Sequence, residues 1–105
     1  MTAAIACMEE NLEHLVAIDD VARRAHLSLR QLERLWHQHF GMTPQQFYLT
    51  VRLDEARRLL KESTASIAQI ALRCGFVSAS HLGAAYRKAY GHTPGQARRR
   101  FDERQ

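Results

Sequence analysis

An internal repeat at an offset of 49 to 50 residues constrains this chain more than any other feature. Ile18, Val21, Ala22, Arg24 and Ala25 fall on Ile67, Ile70, Ala71, Arg73 and Cys74, each 49 residues later. Leu32, Trp36, Phe40, Gly41, Thr43 and Pro44 fall on Leu82, Tyr86, Tyr90, Gly91, Thr93 and Pro94, each 50 later. One residue has therefore been inserted between the two blocks, within the segments AHLSLR and CGFVSAS. A turn absorbs an extra residue, whereas a helix would lose its register, so a turn lies there. Two copies are too few for a solenoid and read as tandem subdomains.

Both copies follow one plan. A short helix (19–25; 67–74) leads through a turn to a longer helix (29–40; 79–90). Gly41 and Gly91 stand where a helix-terminating glycine belongs. Thr43-Pro44 and Thr93-Pro94 then set a capping hydroxyl before a first-turn proline, which starts the next helix. Ala22 and Ala71 are small enough for the two helices to cross closely, and Ser28 and Ser78 are available to cap the second ones. This is the helix-turn-helix pattern. His26 occupies the turn position that Gly75 fills in the second copy, and histidine tolerates a left-handed backbone better than most residues.

The layout predicted is all-α, with seven helices forming two helix-turn-helix subdomains joined by a long central helix, a homeodomain-like tandem. The first subdomain is expected over 1–43, the central helix over 44–61 and the second subdomain over 62–105. The opening helix is read as about 3–14 and the last as 94–101. The central helix has no internal Gly or Pro and would span about 27 Å. Leu49, Leu53, Ala56 and Leu60 form its apolar stripe, with Tyr48 and Leu59 beside it. Asp54 and Arg58 are spaced for an i,i+4 ion pair.

Charge is distributed unevenly. Residues 1–20 hold five acids and no Lys or Arg, while all 15 bases and the other six acids lie in 21–105, leaving that stretch at +9. Thirteen of the bases are Arg, whose planar fork suits phosphates and guanine edges. A polyanion partner or a solvated arginine-rich surface both fit this balance. The mean hydropathy is −0.38, and no run approaches the roughly 20 apolar residues of a membrane span. The first residues lack the basic and apolar regions of a signal peptide. Two cysteines make neither a disulfide framework nor a CxxC pair, which disfavours a stapled secreted domain and a zinc finger.

In the third helix Leu32, Leu35, Trp36 and Phe40 share one face. Arg30, Glu33, Arg34 and His37 lie opposite, and Arg30, Arg34 and His37 form a single ridge, with Gln31 alongside. Arg can bond guanine N7 and O6, and Glu33 can accept from a cytosine amino group. The competing reading is a solvated arginine face with a surface ion pair. In the sixth helix Leu82, Ala85, Tyr86 and Ala89 are expected in the core. Ser80, Ala84, Arg87 and Lys88 face away, with His81 and Gly83 at the flanks and Ser78 and Ala79 at the start. The outward face is thus small near the N-terminus and basic near the C-terminus, and all these residues are candidate DNA contacts. Small residues allow close approach to a groove, while Arg87 and Lys88 suit phosphates. Weaker base discrimination is expected here than from the third helix.

Trp36, Phe40, Tyr86 and Tyr90 could serve as base-stacking platforms, but they repeat at core spacing. Six histidines invite a metal reading, yet His37 and His39 diverge on a helix and no ligand set completes them, so no metal or cofactor is expected. Cys74 at the end of a short helix reads as a small buried hydrophobe.

The runs ARRAHLSLRQLERLW, GMTPQQFYLTVRLDEARRLL, IAQIALRCGFVSASHL and YRKAYGHTPGQARR resemble the DNA-binding domain of the AraC/XylS family of bacterial transcription regulators. The resemblance covers about Met8 to Arg100, and CGFVSASHL resembles a subgroup with an amidotransferase-like sensor domain. It implies that one chain reads two successive major grooves. Family base readers match Arg30, Glu33 and Arg34, then Ala79, Ser80, His81, Gly83 and Ala84. Many members have Ser-Arg where Gly83-Ala84 stand, and Arg where Leu49 stands, which removes a base reader and a phosphate contact.

The expected function is sequence-specific duplex DNA binding by a cytoplasmic bacterial regulator, an activator recruiting RNA polymerase at the nucleoid, and not an enzyme. The expectation extends to a monomeric fragment whose sensor or dimerisation domain lies outside it. Two alternatives belong to other classes: an all-α protein-interaction module with a basic face, and the DNA-binding part of an alkylation-response repair protein using Cys7 or Cys74.

Overall fold

The computed structural model describes residues 1–103 and is helical throughout its regular parts. Its elements are α1 (Thr2–Glu10), α2 (Ile18–Arg24), α3 (Leu29–Phe40), α4 (Pro44–Glu62), α5 (Ile67–Arg73), α6 (Ala79–Tyr90) and α7 (Pro94–Glu103). No strand occurs among the described residues. The chain divides between Val51 and Arg52, inside α4, into two compact units.

The first unit contains α1 to α3 and the beginning of α4. Ala4, Cys7, Met8, Val21, Ala22, Leu32, Trp36 and Tyr48 form its buried core, with Ile18, Leu27, Leu35 and Phe47 packed around them. Trp36 is fully buried and stacks edge-on against Phe47, with ring centroids 5.6 Å apart. Losing such a ring costs about 3–5 kcal/mol. The turn between α2 and α3 is fixed by backbone. His26 takes φ 60°, and the Leu27 amide donates to the Ala22 carbonyl at 2.9 Å. Ser28 then caps α3: its Oγ accepts from the Gln31 amide, and the Gln31 side chain accepts from the Ser28 amide. This reciprocal box satisfies two donors that a helix start leaves over.

The second unit repeats these devices. Gly75 takes φ 83° in place of His26, and the Phe76 amide donates to the Ala71 carbonyl at 2.9 Å. Ser78 Oγ accepts from the His81 amide, but His81 returns no bond, so the cap of α6 is half a box. These pairings locate the inserted residue. His26 corresponds to Gly75, Leu27 to Phe76 and Ser28 to Ser78, which leaves Val77 over. Ile70, Ala71, Phe76, Leu82, Tyr86 and Ala97 form this core with Leu53, Ala56 and Leu60 from α4.

Each unit also ties down the loop ahead of its short helix. In the first, the Tyr48 hydroxyl donates to the Asn11 carbonyl and accepts from the Val16 amide at 3.4 Å. In the second, the residue 50 later, Arg98, donates to the carbonyls of Leu59, Leu60, Ser63 and Ala65. Leu59 and Leu60 lie in the last turns of α4, Ser63 and Ala65 in the loop that follows, and one guanidinium, with its several donors, ties the helix end to that loop.

Four expectations are corrected. The first helix ends at Glu10, not near His14, because the Asn11 side chain donates to the Cys7 carbonyl at 2.7 Å and the Tyr48 hydroxyl holds the Asn11 carbonyl. An Asn that bonds its own backbone competes with helix continuation. Arg58 pairs with Glu55 and Glu62 rather than Asp54, whose carboxylate accepts from the Tyr90 hydroxyl at 3.0 Å. Ala89 is exposed, since the burial on α6 is taken by Leu82 and Tyr86. Phe40 lies at the rim of its core, 36% exposed, stacked on Phe47.

Arg98→Ala is expected to destabilise the chain by about 2–3 kcal/mol, because charged hydrogen bonds to four carbonyls are lost. Arg99→Ala, on the exposed side of α7, should change it by less than about 0.5 kcal/mol. Urea denaturation of the two variants checks the contrast.

Candidate nucleic-acid interface

Helix α3 is built to show one face and hide the other. Leu32 and Trp36 are buried, and the Ser28–Gln31 box sets where the helix begins. That register places Arg30, Glu33, Arg34 and His37 on the exposed side. Neither Arg30 nor Arg34 forms an ion pair among the described residues. Gln31 is exposed as well, but its side-chain carbonyl is engaged by the Ser28 amide. Beside this face Glu33, His37, Gly41, Met42, Thr43 and Gln46 line an open groove of about 350 Å³. Gly41, at φ 66°, ends α3 and lets the chain turn into α4 there.

Helix α6 presents a different surface. Ser80, His81, Ala84, Arg87 and Lys88 are exposed, and Ala79 and Gly83 are half-buried. Ser78 is exposed with its hydroxyl committed to the cap. His81 packs edge-on to Phe76, centroids 5.4 Å apart, which fixes the side of the helix it occupies. A Cβ added at Gly83 would meet nothing within 4 Å, so no packing demand explains a glycine in mid-helix. Of the residues expected to face outward, Ser80, His81, Ala84, Arg87 and Lys88 lie on the exposed side of α6, whereas Ala79 and Gly83 lie at its half-buried edge; Arg30, Gln31, Glu33, Arg34 and His37 are all exposed on α3.

Two arginines that composition alone counts as surface charge are positioning residues. Arg98 was described above. Arg52 donates from Nε to the Cys74 carbonyl and from an Nη to the Gly75 carbonyl, both at 2.9 Å. Its guanidinium also lies 4.1 Å over the Phe76 ring. The turn that launches α6 is therefore clamped from α4. No spacing rule singles out Arg52 among thirteen arginines; only its partly apolar neighbours on α4 hint at it. Arg23 and Arg58 are neutralised on the surface by Asp20 and by Glu55 with Glu62.

The remaining polar chemistry is structural. Tyr90 is half-buried against Tyr86, and burial together with the Asp54 hydrogen bond pushes its phenol up to about 12. Cys7 and Cys74 are buried free thiols, and desolvation pushes Cys74 up to about 11. A nucleophilic cysteine needs the opposite shift, toward the thiolate. No group of three His, Cys, Asp or Glu residues is placed to hold a metal among the described residues. No helix among them is long and apolar enough to cross a membrane. In the native chain at pH 8, Cys74 should react with a disulfide probe about 100-fold or more slowly than in the unfolded chain. Colorimetric thiol titration with and without denaturant measures this.

A family model described as a helix-turn-helix domain matches residues 21–100. The HTH-type transcriptional regulator ArgR of Pseudomonas aeruginosa is 42% identical over 98 residues, 93% of this chain and 30% of that protein. The HTH-type transcriptional activator RhaS of Escherichia fergusonii is 38% identical over 98 residues, 93% of this chain and 35% of that protein. The chain thus spans about a third of the length of these relatives. Among solved structures, a transcriptional regulator from Chromobacterium violaceum with an AraC-type DNA-binding domain superposes with a TM-score of 0.92 at 42% identity, covering 95% of this chain and 89% of that one. The DNA-binding domain of AdpA, a global transcriptional factor solved with a target DNA, gives 0.89 at 31% identity, covering 99% and 94%.

Proposed function

Because the chain belongs to the AraC-type family of helix-turn-helix DNA-binding domains, we propose that it is the DNA-reading part of a bacterial transcription regulator, with α3 and α6 as its recognition helices. The observation that carries this is the exposed face of α3, where Arg30 and Arg34, on the second helix of the motif, have no acidic partner among the described residues. On this reading Arg30 and Arg34 bond guanine edges, Glu33 accepts from a cytosine amino group, and His37 extends the ridge along the groove. Gln31 and Ser78 act chiefly by fixing where each recognition helix starts.

Helix α6 plays the complementary part. Ala79, Ser80, Gly83 and Ala84 carry little bulk and few donors, so they bring backbone close to the groove, while His81 offers a ring nitrogen. Arg87 and Lys88, in the last turns, reach phosphates and fix orientation without reading sequence. One chain would engage two successive major grooves of one duplex, about 34 Å apart, at a non-palindromic site. The relatives named as transcriptional activators support an activating role, which on this reading works by recruiting RNA polymerase. A sensor or dimerisation domain elsewhere in the full-length protein fits the larger relatives. The work assigned to the chain is binding at the nucleoid as a monomeric module, with no chemical step.

Arg30→Ala is expected to weaken binding to a site selected from random duplexes by about 1–3 kcal/mol and to relax base preference at one position. Mobility-shift titration on selected and random DNA measures both; equal loss on the two would make Arg30 a phosphate contact only. Gly83→Ala should separate fold from function. It should stabilise α6 by about 0.5–1 kcal/mol, since alanine favours helix and the space is open, yet weaken DNA binding. Thermal melts alongside the same titrations check the opposite signs.

A further inference from the structure

Val77 is the residue by which the second copy exceeds the first, and it is the most exposed large hydrophobic side chain described, at 80%. Its position makes that exposure unusual. The residue before a helix N-cap commonly packs on the fourth helical residue, closing an apolar staple over the helix start. The first copy does this: Leu27, before Ser28, is partly buried against the core that contains Leu32. In the second copy Leu82 is fully buried, but Phe76 has taken the inward place, and the extra residue leaves Val77 outside.

The segment holding Val77 is also fixed. The clamp of Arg52 on the Cys74 and Gly75 carbonyls and over the Phe76 ring holds one side. The Ser78 cap holds the other. A branched apolar side chain is thus held in water one residue ahead of the N-cap of α6, whose first turn exposes Ser80 and His81. Its rotamers are few, so little entropy is lost when it meets a partner.

We propose that Val77 is a specificity-determining residue that packs on the C5-methyl group of a thymine in the half-site read by α6. The thymine methyl is the one apolar group that base edges display in the major groove. N-terminal residues of a recognition helix are those that reach base edges. Val77 supplies discrimination at the helix whose first-turn outward residues, His81 apart, are small. The assignment rests on α6 being a recognition helix.

The test replaces each thymine of a selected duplex, one at a time, by deoxyuridine, which lacks only the methyl. The wild-type chain should lose about four-fold in affinity at one position of the α6 half-site, the value of one methyl-sized apolar contact. Val77→Ala should bind that position equally with thymine or deoxyuridine and keep the wild-type thermal midpoint. If the wild type shows no such position, or Val77→Ala keeps the sensitivity, the assignment is overturned while specific DNA binding stands. Failure of the chain to select any duplex over random DNA would instead overturn the recognition role of α6, and the Val77 assignment with it.

Discussion

Carbonyls left over at the end of a helix organise each unit of this chain. A helix of any length leaves its last carbonyl oxygens without intrahelical donors, and burying that end demands an outside partner. Here a single side chain from the helix that closes the unit holds that end and the loop beyond it: the Tyr48 hydroxyl at Asn11 and Val16, and the Arg98 guanidinium from Leu59 to Ala65. The two stand 50 residues apart in the sequence and differ completely in chemistry. Tyrosine suffices where one carbonyl is held; four carbonyls require the several donors of arginine. Once those loops are held, the short helices α2 and α5 have a fixed start, and α3 and α6 follow from them.

The architecture was legible because the strongest local signals coincide with the elements. Helices α3 and α6 begin and end where Ser28, Ser78, Gly41 and Gly91 place them, and Trp36 and Tyr86 mark their buried sides. The left-handed turn at His26 was legible from its alignment with Gly75. What periodicity could not supply was competition between partners. Asn11 shortens α1 by bonding its own backbone, and Arg58 has three acids within helical reach of which it uses two. The outward faces were legible as sets. The division of labour among arginines was not, because Arg52 and Arg98 differ from their neighbours only in what the fold places opposite them.

Helices α3 and α6, the proposed recognition helices, follow the same local plan and differ in the charge they expose. Helix α3 offers paired guanidinium groups and a carboxylate, each able to discriminate a base by directed hydrogen bonds. Helix α6 offers small side chains, cations at its far end and an apolar residue at its near end. Directed bonds give steep discrimination and demand exact placement; apolar contact with a methyl gives shallow discrimination and tolerates small displacements. On the proposed reading, one strict and one lenient reader on a single chain would let a site vary on one side without loss of binding.

The unit boundary inside α4 bears on how the molecule is taken apart. Residues 44–51 supply Phe47 and Tyr48 to the first core, whereas Leu53, Ala56 and Leu60 belong to the second. Severing the polypeptide ahead of Pro44 would strip the first half of the aromatic wall behind Trp36 and release the strap over residues 11–16. An autonomous N-terminal half must therefore carry two extra turns of helix at its tail, turns whose only purpose in isolation is to shelter what precedes them.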